Sequence, residues 1–243
     1  MNLLRIIAPW FGYDVLRQSK NILLDRHLKN LLKQHKINKV LDVGANIGQY
    51  GEMLREFGYT GEIHSFEPVR TTYEKLCESA DGDANWYTYN CALGQTKGNM
   101  DINVTKASYF SSFHKPNKFG KSLFTDESII DHIESVPVDT LDNIIDSMPG
   151  ESSNNRIHLK MDTQGFDIEV FSGLVKHKHD IVTLQSEVSV QDIYAGMPHY
   201  LDAMRIYADS GFIITGMFPI SRNKENLTLI EFDCTMYNSR HKS

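Results

Sequence analysis

Residues 40–50 read Val40-Leu41-Asp42-Val43-Gly44-Ala45-Asn46-Ile47-Gly48-Gln49-Tyr50. Lys39 to Val43 is a short, mostly apolar run rich in β-branched residues, the pattern of a buried strand. Gly44 and Gly48 follow at once, and a helical pattern then runs from about Gln49 to Phe57. Glycine lets the backbone turn tightly and approach a ligand closely. Taken alone, the two glycines fit an ordinary strand-to-helix turn equally well. A dinucleotide fingerprint would need glycines at 44, 46 and 49, where this chain has Asn46 and Gln49 after the first. The pyrophosphate cradle is therefore poorly matched, and no GxxxxGK[ST] loop is present.

Outward from this stretch, strand-like and helix-like segments alternate. Residues 61–66, 86–90, 157–161 and 181–186 read as buried strands, and 71–78 and 200–210 as helices. Met100-Asp101-Ile102-Asn103-Val104 alternates as a half-exposed strand, with Glu134–Val138 as a partner. Asp139 is placed to cap a short helix over 140–147, and residues 149–155 make a surface loop. Phe212–Met217 and Leu227–Tyr237 form a closing antiparallel pair. Repeated βα units imply a parallel sheet with helices on both faces, with ligands at the carboxyl ends of the strands. Residues 105–128 show no clear period, and a loop that long in a compact domain is functional or disordered.

The DxGxNxG run at Asp42–Gly48 resembles the first motif of class I S-adenosylmethionine-dependent methyltransferases. The resemblance implies that Gly44, Asn46 and Gly48 turn around the methionine part, with Asp42 close to its ammonium. Glu67 stands 19 residues past Gly48 at the end of the second strand. As an ionised carboxylate it can accept both ribose hydroxyl hydrogens. The resemblance also implies that Ala92 and Leu93, read as ending the third strand, lie beside the adenine. Further on, Leu159-Lys160-Met161-Asp162-Thr163-Gln164-Gly165-Phe166-Asp167 is similar to the LKxDxEGxE segment of FkbM-type methyltransferases. Pro137–Asp142, the pair Ser111-Ser112, Phe66-Glu67-Pro68 and Ala92-Leu93-Gly94 also match that family, over roughly residues 38–235. Gln164 and Asp167 stand where the family pattern has glutamates. The resemblance implies a Rossmann-like, doubly wound α/β fold: a mostly parallel seven-stranded sheet with an antiparallel C-terminal strand. It also implies S-adenosylmethionine as cofactor and O-methylation of a hydroxyl, on a sugar of a surface polysaccharide, a glycolipid or a related biosynthetic intermediate. Another natural-product hydroxyl, or a non-catalytic module with this fold, is the alternative.

Charge and composition narrow the classes. Residues 1–40 carry eight Lys/Arg against Asp14 and Asp25, while the remaining 203 residues carry a net charge of −12. An acidic body disfavours nucleic acid, whose phosphates need neutralising. Residues 1–38 read as a basic extension with an amphipathic helix capped by Ser19, and 39–243 as the methyltransferase domain. The helix either packs Leu24, Leu28, Leu31 and Leu32 on the core or touches an anionic membrane surface. Cys77, Cys91 and Cys234 are an odd set with no CxxC spacing, which fits a reducing, cytoplasmic setting, including the inner face of a membrane. No run of 18 apolar residues is present. The oligomeric state cannot be read from these residues.

Methyl transfer to an alcohol needs a base for the hydroxyl proton or a metal that lowers its pKa. Asp162 ends the fourth core strand and is either the cap of the next helix or a site residue. Glu187, at the end of the fifth, is either a solvated strand end or a partner of Asp162 in a two-carboxylate site for Mg²⁺. His114 lies in the long loop with Tyr109, Phe110 and Phe113 and is the histidine placed to act as a base, or simply an exposed side chain. His199 is a second such histidine.

Overall fold

The computed structural model describes residues 8–11, 23–105, 111–123, 129–148 and 155–241. The expected cap at Ser19, Tyr109 and Phe110, and all but Asn155 of the 149–155 loop lie outside these residues. The described elements are α1 (Leu24–Gln34), β1 (Lys39–Val43), α2 (Gln49–Glu56), β2 (Glu62–Phe66), α3 (Arg70–Ala80), β3 (Trp86–Tyr89) and β4 (Ala92–Leu93). They continue as β5 (Gly98–Thr105), α4 (Lys118–Leu123), β6 (Ile130–Asp139), α5 (Leu141–Ser147), β7 (Ile157–Met161) and α6 (Asp167–Ser172). The chain closes with β8 (Ile181–Ser189), α7 (Tyr200–Asp209), β9 (Phe212–Arg222) and β10 (Leu229–Asn238).

The main sheet has seven strands in the order β3-β2-β1-β7-β8-β10-β9. β3 to β8 run parallel, and β10 is antiparallel to both β8 and β9. The order reverses between β1 and β7, which places the switch-point crevice beside Gly44 and Asp162. Alternate side chains of each strand feed two cores. Val40, Ile63 and Val182 pack with Leu32, Leu54 and Leu76 under α1, α2 and α3. Leu41, Leu159 and Leu184 pack with Ile144, Val170 and Tyr207 under α5, α6 and α7. The helix-on-both-faces reading is thus met by two separate apolar clusters.

Leu28, Leu31 and Leu32 of α1 are buried. Each such leucine contributes about 1.5–3 kcal/mol relative to exposure. All three cysteines are free.

Two local readings are corrected. Ala92 and Leu93 do not end the third strand of the main sheet. They form β4, which pairs with β6 in a second sheet of order β4-β6-β5, because the chain leaves β3 after Tyr89 and crosses to Val138 and Asp139. β5 and β6 pair antiparallel as expected, Met100 opposite Val136. The cap of α5 is Thr140, whose side chain accepts from the Asn143 amide, rather than Asp139, which accepts from the Thr140 amide and the Asn143 side chain. The second sheet, with Ile102, Val104, Val136 and Val138 packed on Val69 and Ala92, stands beside the carboxyl ends of β1 and β2.

Candidate functional site

A cavity of about 340 Å³ opens at the carboxyl ends of β1, β2, β7 and β8. Its size is that of a small-molecule or cofactor pocket. Gly44, Asn46, Glu67, Ala92, Leu93, Asp162 and Glu187, all marked from sequence, line it. The apolar part of its wall includes Phe66, Ile102, Phe113 and Phe166.

The turn after β1 is built by its backbone. Gly44 has φ +75°, and a Cβ there would fall 2.0 Å from the Asp162 carbonyl oxygen, so only glycine fits. The amides of Gly44 and Ala45 both donate to the Phe66 carbonyl, which ties the turn to the end of β2. Asn46, at φ +50°, then presents its amide to Glu67 Oε2 at 3.0 Å, and the Val69 amide donates to Glu67 Oε1 at 3.0 Å. Each oxygen of Glu67 keeps lone-pair capacity for a further donor. Burial pushes this carboxyl up to about 7, against the two amides and Lys160 that favour its charge. A buried carboxylate at the cavity wall with spare acceptor capacity fits a ligand that brings hydroxyl donors.

Asp42 is placed otherwise than expected. Register sets Ser65, Asp42, Lys160 and Gln185 side by side across β2, β1, β7 and β8. Asp42 is fully buried and does not line the cavity. Its Oδ1 lies 3.0 Å from Lys160 Nζ, and its Oδ2 accepts from Ser65 Oγ at 3.2 Å. Lys160 also donates to the Gly44 carbonyl at 3.0 Å. Burial works against the Lys160 charge, but Asp42 and Asp162 outweigh it and hold its pKa above the ordinary lysine value. Asp42 is thus the buried anchor beneath the glycine turn. Gly48 likewise stands outside the cavity, as the N-cap of α2 at φ +99°, packed toward Leu76, Ser79 and Trp86.

Asp162 does not cap a helix: α6 begins at Asp167 with Phe166 at its N-cap position. Instead Asp162 and Glu187 meet through a third residue. Gln164 Nε2 donates to Asp162 Oδ1 at 3.1 Å and to Glu187 Oε2 at 2.8 Å. Burial, then the Asp162 and Glu231 charges, raise the Glu187 carboxyl well above the usual glutamate range. Among the described residues no group of three or more His, Cys, Asp or Glu side chains is arranged to hold a metal ion. The two candidate ligands face a hydrogen-bond donor, an arrangement suited to carboxylates with no cation between them.

The two histidines are not brought to the cavity. His114 lies with its ring centroid 5.9 Å from that of Phe166, and its buried Nε2 has no hydrogen-bond partner. His199 caps α7, its Nδ1 accepting from the Leu201 amide at 3.3 Å. Asp167, the second departure from the family pattern, is a buried brace that accepts from Thr163 and from Ser186 Oγ. Burial pushes its carboxyl up to about 6.

Sequence reasoning missed Lys160, Gln164 as an active partner, Tyr194, Glu231 and Asp233. Glu231 lines the cavity, and Asp233 stands opposite Glu187 in the β8–β10 register. Burial raises both carboxyls, that of Asp233 to about 6. The signal available was the alternation Glu231-Asp233-Thr235, which sets three polar residues on one face of a strand. A second cavity of about 420 Å³, lined in part by Tyr50, Lys160, Gln185 and Asp233, shares Gly44, Asn46, Asp162, Glu187 and Ile220 with the first. The carboxylate pair therefore stands on the wall common to both.

Solved structures of similar fold include methyltransferase FkbM from Methylobacillus flagellatus KT, 15% identical over 82% of this chain and 43% of that one, at TM-score 0.45. This chain thus spans less than half of that protein's length. Another is 1,6-didemethyltoxoflavin-N1-methyltransferase from Burkholderia thailandensis with bound S-adenosylhomocysteine, 11% identical over 88% and 77% of the two chains, at TM-score 0.41. A third is magnesium protoporphyrin IX methyltransferase from Synechocystis PCC 6803 with bound SAM, 9% identical over 97% and 90%, at TM-score 0.44. No curated protein matches the sequence. The model of the methyltransferase FkbM domain matches residues 42–214, most of the chain, from the end of β1 to the start of β9, so the chain belongs to the FkbM methyltransferase family.

Proposed function

We propose that this chain is an S-adenosylmethionine-dependent O-methyltransferase that acts on a hydroxyl group of a sugar, in a surface polysaccharide, a glycolipid or a related biosynthetic intermediate. The observation that carries the reading is the spread of carboxylates along one cavity. Glu67 follows β2, next to the apolar wall of Phe66, Ala92 and Leu93, while Asp162 and Glu187 stand at β7 and β8. β2 and β8 are three strand spacings apart, about 14 Å, which separates a ribose-binding carboxylate from a proton-accepting pair.

Glu67 and the glycine turn would hold the cofactor, with the apolar wall against its flat base. When bound, the cofactor supplies a methyl group on a positively charged sulfur. Glu187 is the residue to take the hydroxyl proton, because burial, Asp162 and Glu231 raise its proton affinity above that of an ordinary carboxylate. Asp162, Glu231, Gln164 and Ser221 add acceptors and donors around the same space, which suits a hydroxyl-rich ring. Holding acceptor oxygen, methyl and sulfur in line supplies much of the remaining acceleration.

No described helix is long and apolar enough to cross a membrane. The proposal sets the enzyme in the cytoplasm, at the inner face of a membrane when the acceptor is lipid-linked. There the basic residues of the 1–38 stretch would meet anionic headgroups, since α1 turns Leu28, Leu31 and Leu32 inward. Calorimetry tests the core of the reading. S-adenosylhomocysteine should bind with about micromolar affinity, ~8 kcal/mol. Binding of NAD with no response to S-adenosylhomocysteine would overturn it.

A further inference from the structure

Gln164 is tied in four directions. Its Nε2 donates to Asp162 at 3.1 Å and Glu187 at 2.8 Å, and its Oε1 accepts from the Tyr194 hydroxyl at 2.7 Å. Its main-chain oxygen accepts from Ser112 Oγ at 2.7 Å. It does so at φ +54°, in the left-handed region. That conformation is costly for a non-glycine residue and persists only where the surroundings enforce it. Tyr194 decides which end of the amide faces the acids. With its O–H donating to Oε1, the two N–H bonds of Gln164 are left for the two carboxylates.

We propose that Gln164 is a positioning residue that joins Asp162 and Glu187 into one unit taking up a single proton, with the side-chain amide as the fixed donor between them. Two ionised carboxylates side by side repel, and one proton relieves that repulsion. The amide lowers the cost of the doubly ionised state by donating to both. The pair can therefore release its proton to solvent and be ready to accept another. In the proposed reaction, on which only the proton's source depends, the acceptor's O–H bond breaks as its new bond to methyl carbon forms. The proton passes to Glu187, and the electrons of the sulfur–methyl bond return to sulfur. The other charged or titratable groups around the pair are Lys160 of β7, 3.7 Å from Asp162 Oδ2, Glu231 and Asp233 of β10, Asp42 of β1, Asp167 of α6 and Tyr194. Lys160 attracts the negative charge of the pair, and the Glu231 and Asp233 carboxylates raise the proton affinity of Glu187.

The test is a carboxyl ¹³C NMR titration of Glu187 in the intact protein and in three variants. Asp162→Asn should lower the Glu187 midpoint by about one pH unit or more, by removing the like charge. Gln164→Glu keeps the shape but replaces the N–H donors with a third acid, and should raise the midpoint by about one unit. Tyr194→Phe frees the amide to turn and should move it in the same direction by less, which keeps the test available if Gln164→Glu does not fold. If Gln164 only stabilised the fold, Gln164→Glu and Tyr194→Phe would lower the melting temperature and leave the Glu187 midpoint in place. A midpoint within about 0.3 unit of the original in Asp162→Asn, or in Gln164→Glu (in Tyr194→Phe if Gln164→Glu does not fold), would overturn the proposal. S-adenosylhomocysteine binding is read separately on the same samples. Its absence would sink the methyl-transfer reading while leaving the shared proton standing.

Discussion

Cofactor binding should lose about tenfold in affinity between pH 8 and pH 6, and Glu67 is the reason. Its carboxyl is pushed up to about 7 by burial, more than the amides of Val69 and Asn46 and the nearby Lys160 charge pull it down. A carboxyl at that value is roughly nine-tenths ionised at pH 8 and one-tenth at pH 6. The ionised form is the one that accepts two ribose hydroxyl hydrogens, so binding is favoured above pH 7 and lost as pH falls through it. The ratio of ionised fractions is about tenfold, or ~1.4 kcal/mol. Bound hydroxyl donors hold the carboxyl ionised, so binding at pH 7 should also release about half a proton. Titration calorimetry with S-adenosylhomocysteine, repeated in buffers of different ionisation enthalpy, reads both quantities. In Glu67→Gln the dependence should flatten. The affinity should also fall by roughly 30–150-fold, ~2–3 kcal/mol, because one acceptor is lost and the new NH₂ faces a backbone donor. An affinity constant within twofold from pH 8 to pH 6, with no proton released, would refute the assignment of Glu67.

Glu187→Gln should retain cofactor binding and reduce transfer of labelled methyl into the acceptor glycan by about 10²–10⁴-fold, the usual contribution of a positioned base. Leu28→Ala should cost about 2–5 kcal/mol in denaturant unfolding, because that side chain, on the inward face of α1, is fully buried. A loss under about 0.5 kcal/mol would show that the helix is not part of the folded body. Treatment with a chelator should leave methyl transfer unchanged, since Gln164 presents N–H donors to both carboxylates. Loss restored by Mg²⁺ would favour the metal site instead.

The parts legible in the sequence were those whose signal is local. Asp42 to Gly48 and Phe66-Glu67-Pro68 each combine a strand with a turn residue that only one backbone path accommodates, so position and surroundings came together. Gly44 could be read because its need is steric, a carbonyl oxygen 2.0 Å from where a Cβ would stand. Asp42 was located correctly on β1 but its partner was not, because the pairing with Lys160 depends on the register of two strands more than 100 residues apart. Glu231 and Asp233 were hidden for the same reason: only the antiparallel return of β10 beside β8 sets them next to Glu187. A two-residue strand such as Ala92–Leu93 has no period to detect, which is why its pairing with β6 was missed while the β5–β6 pair was legible. The histidines show the converse error. His199 carries a chemically suggestive side chain, but its position just before a helix is explained by the open Leu201 amide.

A crystal structure of the chain with S-adenosylhomocysteine tests the central claim most directly. The ribose hydroxyls should lie within hydrogen-bond distance of Glu67, the base against Ala92 and Leu93, and the sulfur turned toward Asp162 and Glu187. A ligand bound away from Glu67, or with its sulfur directed away from the carboxylate pair, would contradict it.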